Sequence, residues 1–251
     1  MPANAHSIYG EDYFTGAKGG FGYTDYDGDK LAMAPTFHTY LSRMEAALGG
    51  TGELLDIGAA TGFFLDIARR RKWQVRGVEV SASAARMAQS KGLDVLTGPV
   101  ESCNWPPDTF DAISMWDVIE HMADPNAAMN HVQRMLKPGS VLAVNTPDCG
   151  SFFSRLLGLK WHLIIPPEHL NLFSRQSLRL LLERHGFEIL DLTRVGKTFT
   201  IQYVTFFLLK TLGILNSPAG RISSALNGSR IGHWSIPINL RDNIFVLARK
   251  R

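Results

Sequence analysis

The sequence predicts an α/β domain: a seven-stranded, mostly parallel sheet with helices on both faces. Three observations carry this. Strand-like and helix-like segments alternate from Glu53 to His185. Several strand segments are continuous apolar runs, the pattern of strands covered by helices on both sides. The first strand also runs into a turn of small residues, Gly58-Ala59-Ala60-Thr61-Gly62, that opens a helix. That turn lies at the carboxyl end of a strand, where open α/β sheets bind ligands.

The elements follow in order. Residues 1–30 are rich in glycine and aromatics (Tyr9, Tyr13, Phe14, Phe21, Tyr23, Tyr26) without a period, and are expected to form a loop or lid. Leu31, Ala34, Phe37, Leu41, Met44 and Leu48 fall at helical spacing and predict a helix over Leu31–Leu48, stopped by Gly49-Gly50. Pro35 near its start suits a first turn. Strands are expected at Glu53–Ile57, Gln74–Val80, Leu93–Thr97, Phe110–Trp116 and Val141–Asn145. The helices between them are read at Gly62–Arg71, Ala82–Lys91 and Pro125–Leu136. Ser174 as N-cap and Gly186 as stop bracket a helix over Ser174–His185. Phe187–Val195 and Asn243–Ala248 read as the last two strands. This gives an N-terminal lid and helix over 1–49 and a main domain over 50–251, with insertions at about 146–173 and 197–240.

Composition is that of an ordinary globular chain, 45% hydrophobic and 20% charged over 251 residues. The two cysteines, Cys103 and Cys149, are far apart and suggest a reducing compartment with no metal-thiolate site. Met1–His6 is polar, without the apolar core of a secretory leader, and a cytoplasmic location is expected. From Lys197 onward there are eight Lys/Arg and one acid, Asp242, against a net charge of +3 for the chain. A basic segment of this kind suits an anionic substrate, a membrane surface or nucleic acid, or is simply a solvated rim.

The stretch from Leu54 to Phe64 carries the binding reading. A dinucleotide site would need G-x-G-x-x-G, so that a pyrophosphate could rest on the helix N-terminus. Aligned on Gly58, the other two glycine positions hold Ala60 and Phe63. A nucleoside ligand without a pyrophosphate fits better. Glu79, 23 residues after Asp56 and near the end of the second strand, is placed to accept hydrogen bonds from both ribose hydroxyls.

Here the chain resembles the class I S-adenosylmethionine-dependent methyltransferases, over about residues 50–195. The resemblance rests on the glycine turn, Glu79, Phe110-Asp111-Ala112-Ile113 and Leu136-Lys137-Pro138-Gly139. It is closest to the branch with the ubiquinone-biosynthesis O-methyltransferases, through Trp116-Asp117-Val118-Ile119-Glu120-His121 and Pro167-Glu168-His169-Leu170-Asn171-Leu172-Phe173-Ser174. It implies a Rossmann-like sheet with the last strand antiparallel and S-adenosylmethionine as cofactor. The cofactor contacts it implies fall at Asp56, Gly58, Ala60, Gly62, Glu79, Glu101 and Asp117. Ala60 stands where many relatives carry glycine, and Glu101 is one choice for the adenine contact beside a nearby backbone group.

Methyl transfer from a sulfonium needs alignment, and a hydroxyl acceptor must also lose its proton to a base or beside a metal. Asp117, Glu120 and His121, at i, i+3 and i+4, would share one face of a helical turn, and with His169 could hold a divalent ion such as Mg. The pattern resembles the metal site of small-RNA 2′-O-methyltransferases and quinone-pathway enzymes. The alternative is a metal-free base, His121 or His169. Residues 1–30 and the Pro147–Phe173 insertion are the natural lids, with Trp161 and His162 as pocket residues. The leading expectation is O-methylation of a small phenol, sugar or lipid-linked hydroxyl. The alternatives are an RNA 2′-O-methyltransferase, for which no appended RNA module is visible, and a non-catalytic cofactor-binding protein. Ile201, Val204, Leu208, Leu212 and Leu215 predict an apolar helix. It would cap the acceptor pocket, form a homodimer contact, or dock on a membrane with Lys210, Arg221 and Arg230, unless it packs on the chain's own first helix.

Overall fold

A computed structural model describes residues 31–161, 163–201 and 234–251, with nine scattered positions between 204 and 232. The aromatic N-terminal segment, His162 and most of the predicted apolar helix lie outside the described residues.

The helix α1 (Ala34–Leu48) starts later than its apolar spacing suggests because Pro35 occupies the first turn, and Gly49 ends it in the left-handed region at φ 77°. Then come β1 (Glu53–Ile57), α2 (Phe63–Arg70), β2 (Gln74–Glu79), α3 (Ala82–Ser90) and β3 (Asp94–Thr97). They are followed by β4 (Phe110–Trp116), α4 (Pro125–Met135), β5 (Leu136–Pro147) and the short α5 (Phe152–Leu157). The chain closes with α6 (Arg175–Arg184), β6 (Phe187–Thr200) and β7 (Ser235–Lys250). Asp124 caps α4 by accepting from the Asn126 and Ala127 N–H groups. Ser174 and Ser177 form a reciprocal capping box on α6.

The seven strands form one sheet in the order β3-β2-β1-β4-β5-β7-β6. β1 to β5 pair in parallel, and β7 runs antiparallel to both β5 and β6. This is the expected Rossmann-like sheet with its last strand reversed. The last two strands are longer than the sequence suggested. β6 continues past Val195 to Thr200 and β7 begins at Ser235, so Lys197–Thr200 pair with Ser235–Ile238 beyond the last β5 partner, Pro147. The 197–240 insertion therefore leaves and re-enters through a two-stranded ribbon that overshoots the carboxyl edge of the sheet.

Two cores sandwich the sheet. One face packs Ile57, Ile113, Met115, Val144 and Val246 against α4 and α6. The other packs Leu54, Ala112, Ala143, Phe245 and Leu247 against α1 and α2. Tyr40 of α1 stacks between Trp116 and Phe245, with ring centroids at 5.1 and 4.3 Å. Glu45 fixes the other side of α1, accepting from Arg71 Nε at 2.9 Å and from Trp73 Nε1 at 3.1 Å.

The Arg71 hydrogen bonds hold the Glu45 carboxyl below its ordinary pKa, against the opposing effect of burial. A folded pKa below the unfolded one means that the pair stabilises fully above about pH 4.5 and loses its contribution as pH falls through the folded value. Glu45→Ala is expected to cost about 1–2 kcal/mol at pH 7, since Arg71 and Trp73 both lose their acceptor. Urea unfolding should show the difference from wild type shrinking as pH falls below the ordinary glutamate range. A gap that is constant with pH would assign the loss to packing alone.

Candidate functional site

The carboxyl ends of β1, β2 and β4 converge on one edge. The turn after β1 is held by backbone: Gly58 and Ala59 N–H groups donate to Val78 O at 2.8 and 3.1 Å. Gly58 has φ 76°, and a Cβ there would collide with Val118. Ala60 is also left-handed, at φ 47°. That geometry explains why glycine suits the position, at a backbone cost of about 1–2 kcal/mol for a side chain. Gly62 also has a packing role. It caps α2 at φ 80°, and a Cβ would meet Leu93 and Ala88, so its bareness lets α2 sit against α3.

Glu79 ends β2 and is 6% exposed. Its Oε2 accepts from Ala60 N–H at 2.9 Å and its Oε1 from Ser81 N–H at 2.8 Å. Each carboxylate oxygen has two lone pairs, so the two backbone anchors orient the group and leave capacity for two ribose hydroxyls. Burial raises its pKa, and the N–H bonds from Ser81 and Ala60 oppose the rise. Asp56 is buried within the sheet, where Oδ1 accepts from Ser114 Oγ at 2.6 Å and ties β1 to β4. Glu101 sits half-buried on the short turn Val100–Ser102 after β3.

The loop after β4 departs from the expected helical turn. Asp117 is left-handed at φ 56°, with its N–H donating to Asn145 O at 2.9 Å. Only Ile119–His121 form a turn, of the tighter 3₁₀ kind. The potential cation ligands brought together are accordingly Glu120, His121 and His169, with one ligand atom of each within 4.8 Å of the others. Asp117, placed with them by the i, i+3, i+4 reading, is outside this group because its left-handed backbone breaks the shared face.

The two loops that meet here are zipped together. Leu170 and Asn171 N–H groups both donate to Glu120 O at 2.9 Å, and Asn171 Nδ2 donates to Met122 O at 2.6 Å. Glu120 is buried, its Oε2 accepting from Thr146 Oγ1 at 2.9 Å. His121 Nδ1 bonds Glu168 O at 2.8 Å and His169 Nδ1 bonds Leu163 O at 2.6 Å. A carbonyl only accepts, so both rings carry a proton on Nδ1, the nitrogen that metal-ligating histidines commonly tie to a backbone carbonyl. Burial first, and then His169, lower the His121 pKa to about 4. That leaves a neutral imidazole, suited to ligation and weak as a base. Thr146 and Asn171 were missed in the sequence, since neither offers a signal apart from its place beside the two motifs.

A family model described as a methyltransferase domain matches residues 32–192. The chain belongs to this methyltransferase family. It is a class I, S-adenosylmethionine-dependent enzyme. A ubiquinone biosynthesis O-methyltransferase of Bradyrhizobium sp. (strain ORS 278) is 27% identical over 53% of the methyltransferase and 60% of the relative. A malonyl-[acyl-carrier protein] O-methyltransferase of Serratia marcescens is 30% identical over 48% of each chain. The methyltransferase thus spans about half to three-fifths of these two relatives. The PH0226 protein of Pyrococcus horikoshii OT3 has the same fold over 100% of both chains, with a TM-score of 0.59 and 15% identity. The bare Gly58 and the anchored, doubly accepting Glu79 fit the nucleoside part of S-adenosylmethionine.

Proposed function

We propose that this methyltransferase methylates a hydroxyl of a small biosynthetic molecule, and that Glu120, His121 and His169 hold a divalent cation beside that hydroxyl. The observation that carries this is the convergence of one carboxylate and two imidazoles with fixed tautomers. S-adenosylmethionine supplies a methyl group on a sulfonium, open to in-line attack. A divalent cation supplies a Lewis acid that eases loss of the hydroxyl proton. The protein's part is placement. Gly58 lets the cofactor approach the turn, Glu79 takes the ribose hydroxyls, and the loop zipper fixes where the acceptor oxygen lies. Two imidazoles among three donors suit Mn, Co or Zn, while Mg prefers oxygen ligands. The test is transfer of labelled methyl from S-adenosylmethionine to catechol and to a short RNA, side by side, with Mn present. Labelled catechol is expected. Label confined to RNA would replace this reading with 2′-O-methylation.

A second feature favours an acceptor presented at an anionic lipid surface. Phe152, Leu156 and Leu159 are 71%, 64% and 93% exposed, with Arg155 and Lys160 exposed among them. No acidic residue lies between Cys149 and Lys160. Apolar side chains beside cations complement a negative bilayer, at about 1 kcal/mol per basic residue. Among the described residues no helix is long and apolar enough to cross a membrane. The protein is expected to float with phosphatidylglycerol-containing vesicles, and Leu159→Asp to reduce the floated fraction several-fold. Equal flotation with pure phosphatidylcholine vesicles would remove the electrostatic part of this reading.

A further inference from the structure

Trp116 and Asn243 lie on the face of the sheet that packs against α1, at its carboxyl edge. Trp116 pairs with Asn145 across β4 and β5. Asn145 pairs with Phe245, and Asn243 is two residues further along β7, opposite Pro147 and Val195. Alternation along a strand puts Trp116, Asn145, Phe245 and Asn243 on one face. Trp116 Nε1 and Asn243 Oδ1 are both buried, and neither has a hydrogen-bond partner among the described residues. Asn243 is 3% exposed, and the one hydrogen bond of its side chain among the described residues is Nδ2 to Asp242 Oδ1 at 3.2 Å. Buried polar atoms without partners are few in native proteins, and each asks for a reason. These two are complementary in kind, one donor and one acceptor. The strand spacing and the two-residue offset put their Cα atoms about 10–12 Å apart. They sit on the β4-β5-β7 side of the edge, away from Glu79 on β2, and on the opposite face from Thr146, which holds Glu120.

We propose that Trp116 and Asn243 bind the methyl acceptor. Trp116 Nε1–H donates to an oxygen of the acceptor, and Asn243 Oδ1 accepts from a hydroxyl at its far end. The acceptor is then an extended, oxygenated ring compound with polar groups on two sides, larger than a single ring. Tyr40 stacked on Trp116 and Phe64 at its edge, with centroids at 5.1 and 4.9 Å, hold the indole in place. This rests on the small-molecule reading above.

The test uses the whole chain with luteolin, a three-ring flavone that ends in a catechol, and with catechol itself. Asn243→Leu replaces the amide, whose oxygen lacks a partner among the described residues, by an apolar group of similar size. In ligand-free protein it is expected to raise the melting temperature by about 2–4 °C, the signature of a group kept for binding. With luteolin the same substitution is expected to raise KM at least tenfold with kcat within twofold, while KM for catechol stays unchanged. Trp116→Phe is expected to raise KM for luteolin, with S-adenosylmethionine affinity by calorimetry unaltered. A lower melting temperature for Asn243→Leu would mean that a structural partner is lost, and would overturn the proposal. So would an unchanged luteolin KM. If wild type labels neither probe, the small-phenol reading fails, while the melting comparison still decides this one.

Discussion

Stripping divalent cations is expected to lower the rate of methyl transfer by at least a hundredfold, and adding Mn or Co to restore it. The expectation follows from the donor geometry. Glu120 is fixed by Thr146, and both imidazoles are oriented by Nδ1–H bonds to carbonyls. Loss of a single well-placed electrostatic group at a reacting oxygen costs about 10²–10³ in rate. His169→Ala should weaken the cation, so that more ion is needed for half-maximal rate, with binding of S-adenosylmethionine untouched. Glu120→Ala is a poorer probe because it also undoes a buried contact. Turnover that ignores chelator, together with an inactive His121→Ala, would hand the proton to a metal-free base instead.

Glu79→Ala is expected to weaken S-adenosylmethionine at least tenfold by calorimetry. Hydrogen bonds to a charged group are worth about 1.5–3 kcal/mol, and tenfold corresponds to about 1.4. The substitution also strips the acceptor from the Ala60 and Ser81 N–H groups, so part of the loss will be disorder of the turn. Glu79→Gln separates the two effects by keeping the bulk. Because burial raises the pKa of this carboxyl and only the ionised form accepts on both oxygens, affinity should begin to fall, on acidification, above the ordinary glutamate range. An unchanged dissociation constant in a folded Glu79→Ala protein would place the ribose elsewhere.

The parallel half of the sheet was legible because its strands are covered on both faces and so are written as apolar runs. β7 was legible only over its buried stretch Asn243–Ala248, and β6 only up to Val195. Beyond Val195, the ribbon Lys197–Thr200 with Ser235–Ile238 pairs with itself alone, and its residues include Gly196 at the register break and Pro237. Glycine and proline interrupt a strand-like run and hide it from the sequence. The site divides the same way. Glu79 and the glycine turn are local in sequence, and a strand-turn-helix frame fixes them. The Glu120, His121 and His169 group joins loops 48 residues apart in sequence, and spacing alone misplaced Asp117 in it. What decided that case was one left-handed residue, and no sequence pattern marks an aspartate as left-handed. Trp116 and Asn243 look like ordinary strand residues until the register sets them on one face.

The seat of α1 on the last strand has a consequence for how the molecule is made. Tyr40 lies on Phe245, and Arg249 Nη2 donates to Ala47 O across 202 residues of chain. During synthesis α1 leaves the ribosome about 200 residues before its partner strand. Until then Phe37, Tyr40, Leu41 and Met44, all buried in the finished domain, have no sheet surface from β7 to rest on. Such a long closure makes folding slow and leaves an apolar stripe open to chaperones or to other nascent chains. Chains that stop before Phe245 should therefore aggregate or be degraded even though their cofactor turn is complete. A stalled-ribosome series should show protease resistance of α1 rising only once β7 has emerged.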